Sequence, residues 1–306
     1  MSRIHEALRK AEQERAEHPA NEIPSIMEAT PAAAPAVTPD TVPDTTALSI
    51  TDPLTSSPVI PKAGGIEWLR QKCATPEWKP GAKTVVFAND HTSSVAAEQF
   101  RTLRARLYRV RESQRCQTVL VTSSLPAEGK TFVAANLARA IVRQHERRAL
   151  LIDADLRASR LHLEIGAPLC PGLSEYLQGE ADEFTVMQSS SDGNLFFIPG
   201  GKTVANPTEL ISGPRLKSLL DRVAPLFDWV ILDSPPVLPV ADASLLAGIC
   251  DGVLLVVRSG STPYDAARKA CSEFRGKNLI GAVLNRAEEI TAYTSYYYHY
   301  YGDGKK

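Results

Sequence analysis

The sequence predicts an α/β fold with a mostly parallel central sheet and helices on both faces. Three observations carry this. Strand-length apolar runs recur: Thr118–Thr122, Arg148–Ile152, Trp229–Leu232, Val253–Val257 and Ile280–Leu284. They do not alternate with polar residues, as a sheet buried on both faces requires. Helical patterns stand between them: an alanine-rich stretch carrying Phe132, Ala135, Leu137 and Ile141, then Pro214–Ala224, Ala241–Ala247 and Pro263–Phe274. Strands alternating with helices imply crossover connections and parallel pairing.

In chain order, residues 1–17 read as a short amphipathic helix, with Ile4, Ala7, Leu8 and Ala11 on one stripe and Ser2 as N-cap. Residues 18–80 hold half of the chain's 22 prolines among Ala, Thr and Ser. Such composition buries too little surface to offset ordering entropy, so a disordered linker is expected. Its exception is Ile66–Leu69 with Trp78, expected to pack on the domain edge. The folded domain is expected over residues 81–288, opening with a short strand at Thr84–Phe87. A helix follows, capped by Ser93 or Ser94 and running to about Glu112. Val95, Phe100, Leu103, Leu107 and Val110 form its inward side. Glu98, Arg101 and Arg104, spaced by three, share another face. Such a face is ordinarily solvated, and an intermolecular contact is the alternative.

The first strand of the repeating pattern leads into Ser124-Leu-Pro-Ala-Glu-Gly-Lys-Thr131 and then a helix. Strand, small-residue turn and helix N-terminus in that order form a P-loop, and with it a P-loop NTPase fold. Backbone N–H groups and the positive helix end would face a polyphosphate. Lys130 would reach the β- and γ-phosphates, and Thr131 would offer its hydroxyl to Mg²⁺. Ser124 stands where the motif's first glycine belongs.

The second strand ends in Asp153-Ala-Asp155 and the third in Asp233. A lone aspartate after a strand is usually a loop or cap residue. Three at the ligand-binding edge of such a sheet suit phosphoryl transfer, which needs oxygen ligands for a hard cation. Asp233 fits the Walker B position. Of Asp153 and Asp155, one would hold metal and the other accept a proton, and spacing alone leaves the assignment open. Residues 289–306 form a tail containing six of the nine tyrosines: Tyr293, Tyr296, Tyr297, Tyr298, Tyr300 and Tyr301. It reads as an adhesive aromatic segment or as a multi-site phosphoacceptor.

Composition narrows the classes. The chain is 43% hydrophobic and 23% charged, with a net charge of −1, which argues against a general nucleic-acid binder. Five scattered cysteines form no zinc or disulfide pattern. No run approaches the ~20 apolar residues of a membrane span, so a cytoplasmic location is expected.

Taken together, the region from Lys83 to Lys306 resembles the bacterial tyrosine kinases of capsule and exopolysaccharide synthesis. The matching pieces are Glu98-x-x-Arg101-x-x-Arg104, the phosphate-binding turn, Leu-Ile-Asp153-Ala-Asp155-Leu-Arg157, Val-Ile-Leu-Asp233-Ser-Pro-Pro, Val-Val-Arg258-Ser-Gly and the tyrosine cluster. The resemblance implies an ATP- and Mg²⁺-dependent autokinase that phosphorylates the tail tyrosines of a neighbouring subunit in a ring-like homo-oligomer. It implies Asp153 as base and Thr131, Asp155 and Asp233 serving Mg²⁺. Pro126 to Phe132 would bind nucleotide (Pro126, Ala127, Glu128, Gly129, Lys130, Thr131 and Phe132), with Asn285 at the adenine. Glu98, Arg101 and Arg104 would build the subunit interface. The split arrangement is implied too, in which a separate membrane-embedded polysaccharide co-polymerase activates the kinase and holds it at the inner face of the membrane. Ala127 departs from the family's glycine, and a left-handed backbone there would strain the turn. A partitioning-type P-loop ATPase is the alternative, although those carry an extra lysine where this chain has Leu125. A nucleotide-gated scaffold without transfer is the other.

Overall fold

The computed structural model describes residues 65–81, 86 and 94–287. All lie in one of the chain's two units, Ser56–Lys306, and the other, Met1–Thr55, falls outside them. The expected N-terminal helix, the linker before residue 65, the Thr84–Phe87 strand apart from Val86, and the tyrosine tail also lie outside the described residues.

Seven strands build one sheet: β1 Thr118–Ser123, β2 Ala149–Asp153, β3 Gln188–Ser189, β4 Leu195–Ile198, β5 Trp229–Asp233, β6 Gly252–Arg258 and β7 Leu279–Asn285. Their order is β3-β4-β2-β5-β1-β6-β7. Every neighbouring pair is parallel except β3 against β4. Strands β1, β2, β4 and β5 are buried throughout, which is why their sequences are apolar at consecutive positions. The period of two divides each strand between two cores. Leu120, Leu150, Phe196 and Val230 pack on one face with the helices Leu173–Gln178, Pro214–Val223 and Asp242–Ala247. Val119, Val121, Leu151 and Ile231 pack on the other with the helices Val95–Ser113 and Lys130–Val142.

Helix Val95–Ser113 starts where Ser94 Oγ accepts the Ala97 N–H at 3.1 Å, so Ser94 is the cap. Ala97, Phe100 and Leu107 are its buried residues, with Leu103 and Val110 partly covered.

Within the expected linker, the segment Ile66–Leu69 with Trp78 packs on the domain edge, as its apolar side chains led one to expect, and helix Gly65–Lys72 carries it. Leu69 is fully buried and the Trp68 ring meets Phe184 edge-on at 4.8 Å. Trp78 stands edge-on to Phe197 at 6.3 Å, and the Lys79 N–H donates to Gly166 O at 2.9 Å. Proline content governs the segment's average composition, but three large apolar side chains suffice to anchor its last part. The antiparallel β3–β4 edge, absent from the sequence expectation, is made of very short strands.

Register sets the functional edge. Asp153 and Asp233 are directly opposed Cα partners, and Val121 of β1 is also opposite Asp233. The chain runs leftward from β1 to β2 and returns to place β6 on the other side of β1. The crevice at the carboxyl ends of β1, β2 and β5 is thus a topological switch point. No helix among the described residues is long and apolar enough to cross a membrane.

Candidate active site

The turn between β1 and helix Lys130–Val142 has two residues in the left-handed region, Ala127 at φ 63° and Gly129 at φ 95°. Gly129 admits no side chain: a Cβ there would lie 2.1 Å from Asn285 Nδ2. No side chain caps this helix, so its positive N-terminus opens on the crevice. Glu128 is buried and turned inward. Its Oε2 accepts the Leu125 N–H at 2.9 Å, and its Oε1 takes the Thr262 hydroxyl. Asn285 donates from Nδ2 to Glu128 O at 2.8 Å and accepts the Arg286 N–H on Oδ1 at 2.9 Å. Glu128 and Asn285 therefore brace the turn with their side chains. Pro126 and Ala127 are exposed on it, and the Phe132 ring packs toward Phe100 at 5.9 Å.

Lys130 Nζ lies 2.9 Å from Asp155 Oδ2, 3.3 Å from Thr131 Oγ1 and 3.7 Å from Asp233 Oδ1. Burial is the largest influence on this ammonium and opposes its charge. Asp233, Asp155 and Asp153 together outweigh it and hold the pKa above the ordinary lysine value. The Thr131 hydroxyl also bonds Asp233. Burial pushes Asp233 up to about 6 even though Lys130 favours its ionised form. One oxygen of that carboxyl, Oδ1, is buried with no hydrogen-bond partner.

Asp153 sits deeper and is fully buried. Its Oδ2 accepts from Ser159 Oγ at 2.7 Å and from the Leu161 N–H at 3.1 Å, while Oδ1 accepts the Asp155 N–H at 3.1 Å. Burial first, and then the neighbouring Asp233 charge, push it up to about 7. Glycine at position 200 leaves room for Ser159, because a Cβ there would stand 2.6 Å from its Oγ.

These residues fit a hard divalent cation. Thr131, Asp155 and Asp233 offer only oxygen, and Asp233 Oδ1 lacks a donor. Among the described residues no closed cage of three or more acidic, histidine or cysteine ligands exists. Mg²⁺ is ordinarily held by one or two carboxylates and completed by water and phosphate oxygens. The Lys130 ammonium lies within 3.7 Å of an oxygen of each of Thr131, Asp155 and Asp233.

The fold thus brings together Lys130, Thr131, Asp153, Asp155 and Asp233, with Asn285 at the turn's flank. The interface residues separate. Glu98 and Arg101 form an exposed pair at 2.8 Å, whereas Arg104 Nη1 donates to Ala140 O at 2.5 Å, in the last turn of helix Lys130–Val142. The six tail tyrosines lie outside the described residues. Three groups escaped the sequence reading: Ser159 holding Asp153, Thr262 holding Glu128, and Thr208. Arg157 bonds Asp242 at 2.7 Å and Thr208 at 2.7 Å, fixing the loop after Asp155 to helix Asp242–Ala247. The arginine in Asp-x-Asp-x-Arg was its visible signal.

No protein-family model matches the chain. The tyrosine-protein kinase YwqD of Bacillus subtilis is 33% identical over 216 residues, covering 70% of this chain and 90% of that protein. The tyrosine-protein kinase wzc of Salmonella typhimurium is 31% identical over 226 residues, covering 72% of this chain but only 31% of that longer protein. Among solved structures, the kinase domain of the Escherichia coli tyrosine kinase ETK superposes with a TM-score of 0.63 at 31% identity, covering 73% of this chain and 89% of that one. The chimerical protein CapA2B2 gives 0.64 at 28% identity, covering 73% and 99%. A match to nine-tenths of a tyrosine kinase's length, joined to a fold that carries the same likeness, decides the matter: this chain belongs to the bacterial tyrosine-protein kinases.

Proposed function

We propose that this tyrosine kinase transfers the γ-phosphoryl group of ATP to Tyr293, Tyr296, Tyr297, Tyr298, Tyr300 and Tyr301 in the tail of a second copy of itself. The single observation that carries this reading is the gathering of Lys130, Thr131, Asp155 and Asp233 at an uncapped helix N-terminus. The N–H groups of the turn hold the phosphates, and Lys130 leaves its carboxylates to neutralise the β- and γ-oxygens. Thr131, Asp155 and Asp233 would hold Mg²⁺, which when bound would neutralise charge developing on the transferred group. Asn285, beside the turn, would contact the adenine.

Asp153 accepts the tyrosine proton. Burial has raised it to about 7, where a base is both available and able to take a proton. The three bonds it accepts leave one of a carboxylate's about four acceptor positions open, on Oδ1. Further, the kinase acts in regulating the polymerisation and export of exopolysaccharide or capsule. It docks peripherally on a membrane-embedded co-polymerase and assembles into a ring through the helix face that carries Glu98 and Arg101, while Arg104 on the same helix is spent on Ala140 O. The resemblance and the exposed Glu98–Arg101 pair support that reading.

The test is incubation of the purified protein with ATP and Mg²⁺, followed by mass-spectrometric mapping of phosphotyrosine. Labelling of the tail is expected in the wild type, lost on chelation of Mg²⁺. It should fall by at least about a hundredfold in Lys130→Met, in line with loss of a group stabilising the transition state. Bound nucleotide with an unmodified tail would instead favour a nucleotide-gated scaffold.

A further inference from the structure

The phosphate-binding turn is held from behind by a chain of hydrogen bonds that starts outside it. The Arg258 N–H, at the end of β6, donates to Thr262 Oγ1 at 3.0 Å. The Thr262 hydroxyl hydrogen goes on to Glu128 Oε1. Glu128, 3% exposed, uses its other oxygen on the Leu125 N–H at 2.9 Å, closing the turn across the left-handed Ala127. The loop bearing Thr262 is itself fixed. The Thr262 N–H returns to Arg258 O at 3.0 Å, and the Ser259 N–H donates to Asn285 O at 2.8 Å.

A buried carboxylate must be satisfied. With the hydroxyl removed, Glu128 keeps one protein donor among these bonds. Its freed oxygen then competes for the backbone N–H groups of its own turn, the ones a polyphosphate needs, and its negative charge stands closer to the phosphates.

We propose that Thr262 is a positioning residue for nucleotide binding, whose hydroxyl keeps the Glu128 carboxylate turned away from the phosphate side of the turn. It touches neither nucleotide nor tyrosine and acts through Glu128. The proposal rests on the reading of this turn as the ATP site, and the experiment separates the two.

ATP with Mg²⁺ is titrated calorimetrically into the full chain as wild type, Thr262→Val and Thr262→Ser, with melting temperatures and steady-state kinetics on an added tyrosine peptide. Valine keeps the shape and deletes the hydroxyl. It should weaken ATP binding about tenfold, the range for a hydrogen bond to a charged group, and raise the KM for ATP in parallel. At saturating ATP, kcat and the peptide KM should stay within about twofold, because only uniform binding is lost. Serine, which restores the hydroxyl, should restore affinity. Wild-type affinity in Thr262→Val would overturn the proposal, as would a loss that serine does not rescue and that follows the melting temperature. A wild type that binds no ATP would overturn the ATP site itself.

Discussion

Ala127 stands where the resemblance implies a glycine, and its backbone is at φ 63°. A Cβ in that region costs roughly 1–2 kcal/mol. The protein's own side chains, Glu128 and Asn285, hold the turn in this shape. The strain therefore falls on folding and not on binding. Ala127→Gly should stabilise the protein by about 1 kcal/mol net of the added freedom of the unfolded chain, a rise in Tm of about 2–4 °C. ATP affinity should stay unchanged, and a large gain would show that the turn takes its shape only around phosphate. Lys130, Thr131 and the three aspartates were legible because each ends or follows a strand at a motif position. The groups that hold them were not. Thr262 meets Glu128 across 134 residues, and the β1–β6 pairing brings them together. Ser159 lies six residues from Asp153, within the loop it folds, and no spacing rule singles out a serine there.

The helices and strands that the sequence exposed are those with long repeats of their own. Helix Gly65–Lys72 is different. It has eight residues, too few to be stable alone. Its stripe of Ile66, Leu69 and Cys73 follows the helical period, but a surrounding excess of proline masks it. β3, with two residues, and β4, with four, are likewise below the length at which periodicity speaks. What stabilises the helix is docking: Leu69 is fully buried and Trp68 lies on Phe184. Leu69→Ala should cost about 2–5 kcal/mol through lost burial and a residual cavity. That is readable as a lowered denaturant midpoint with an unchanged slope. A neutral result would return this helix to the linker that composition suggests.

At the scale of the whole molecule, the sheet order places the catalytic edge on one side of the fold and helix Val95–Ser113 against the outer flank of helix Lys130–Val142. The same helix thus has two tasks, and Arg101 and Arg104, among its five arginines, divide them. Arg104 reaches across to Ala140 O, near the end of the helix that begins at the phosphate turn. Arg101 faces outward, its side chain 37% exposed, paired among the described residues with Glu98 at 2.8 Å. An exposed pair of this kind contributes a few tenths of a kcal/mol, so its loss barely affects folding. If copies of the chain meet on this face, Arg101→Ala should shift sedimentation to smaller species and reduce tail phosphorylation while leaving Tm in place. Arg104→Ala should act in the other direction. It leaves a partly buried carbonyl without its charged donor and lowers Tm, with stability reduced by about 1–3 kcal/mol. Sedimentation velocity and thermal melts on the two single variants separate assembly from folding. Unchanged sedimentation of Arg101→Ala would make this an ordinary solvated helix face and would move the subunit interface elsewhere on the domain.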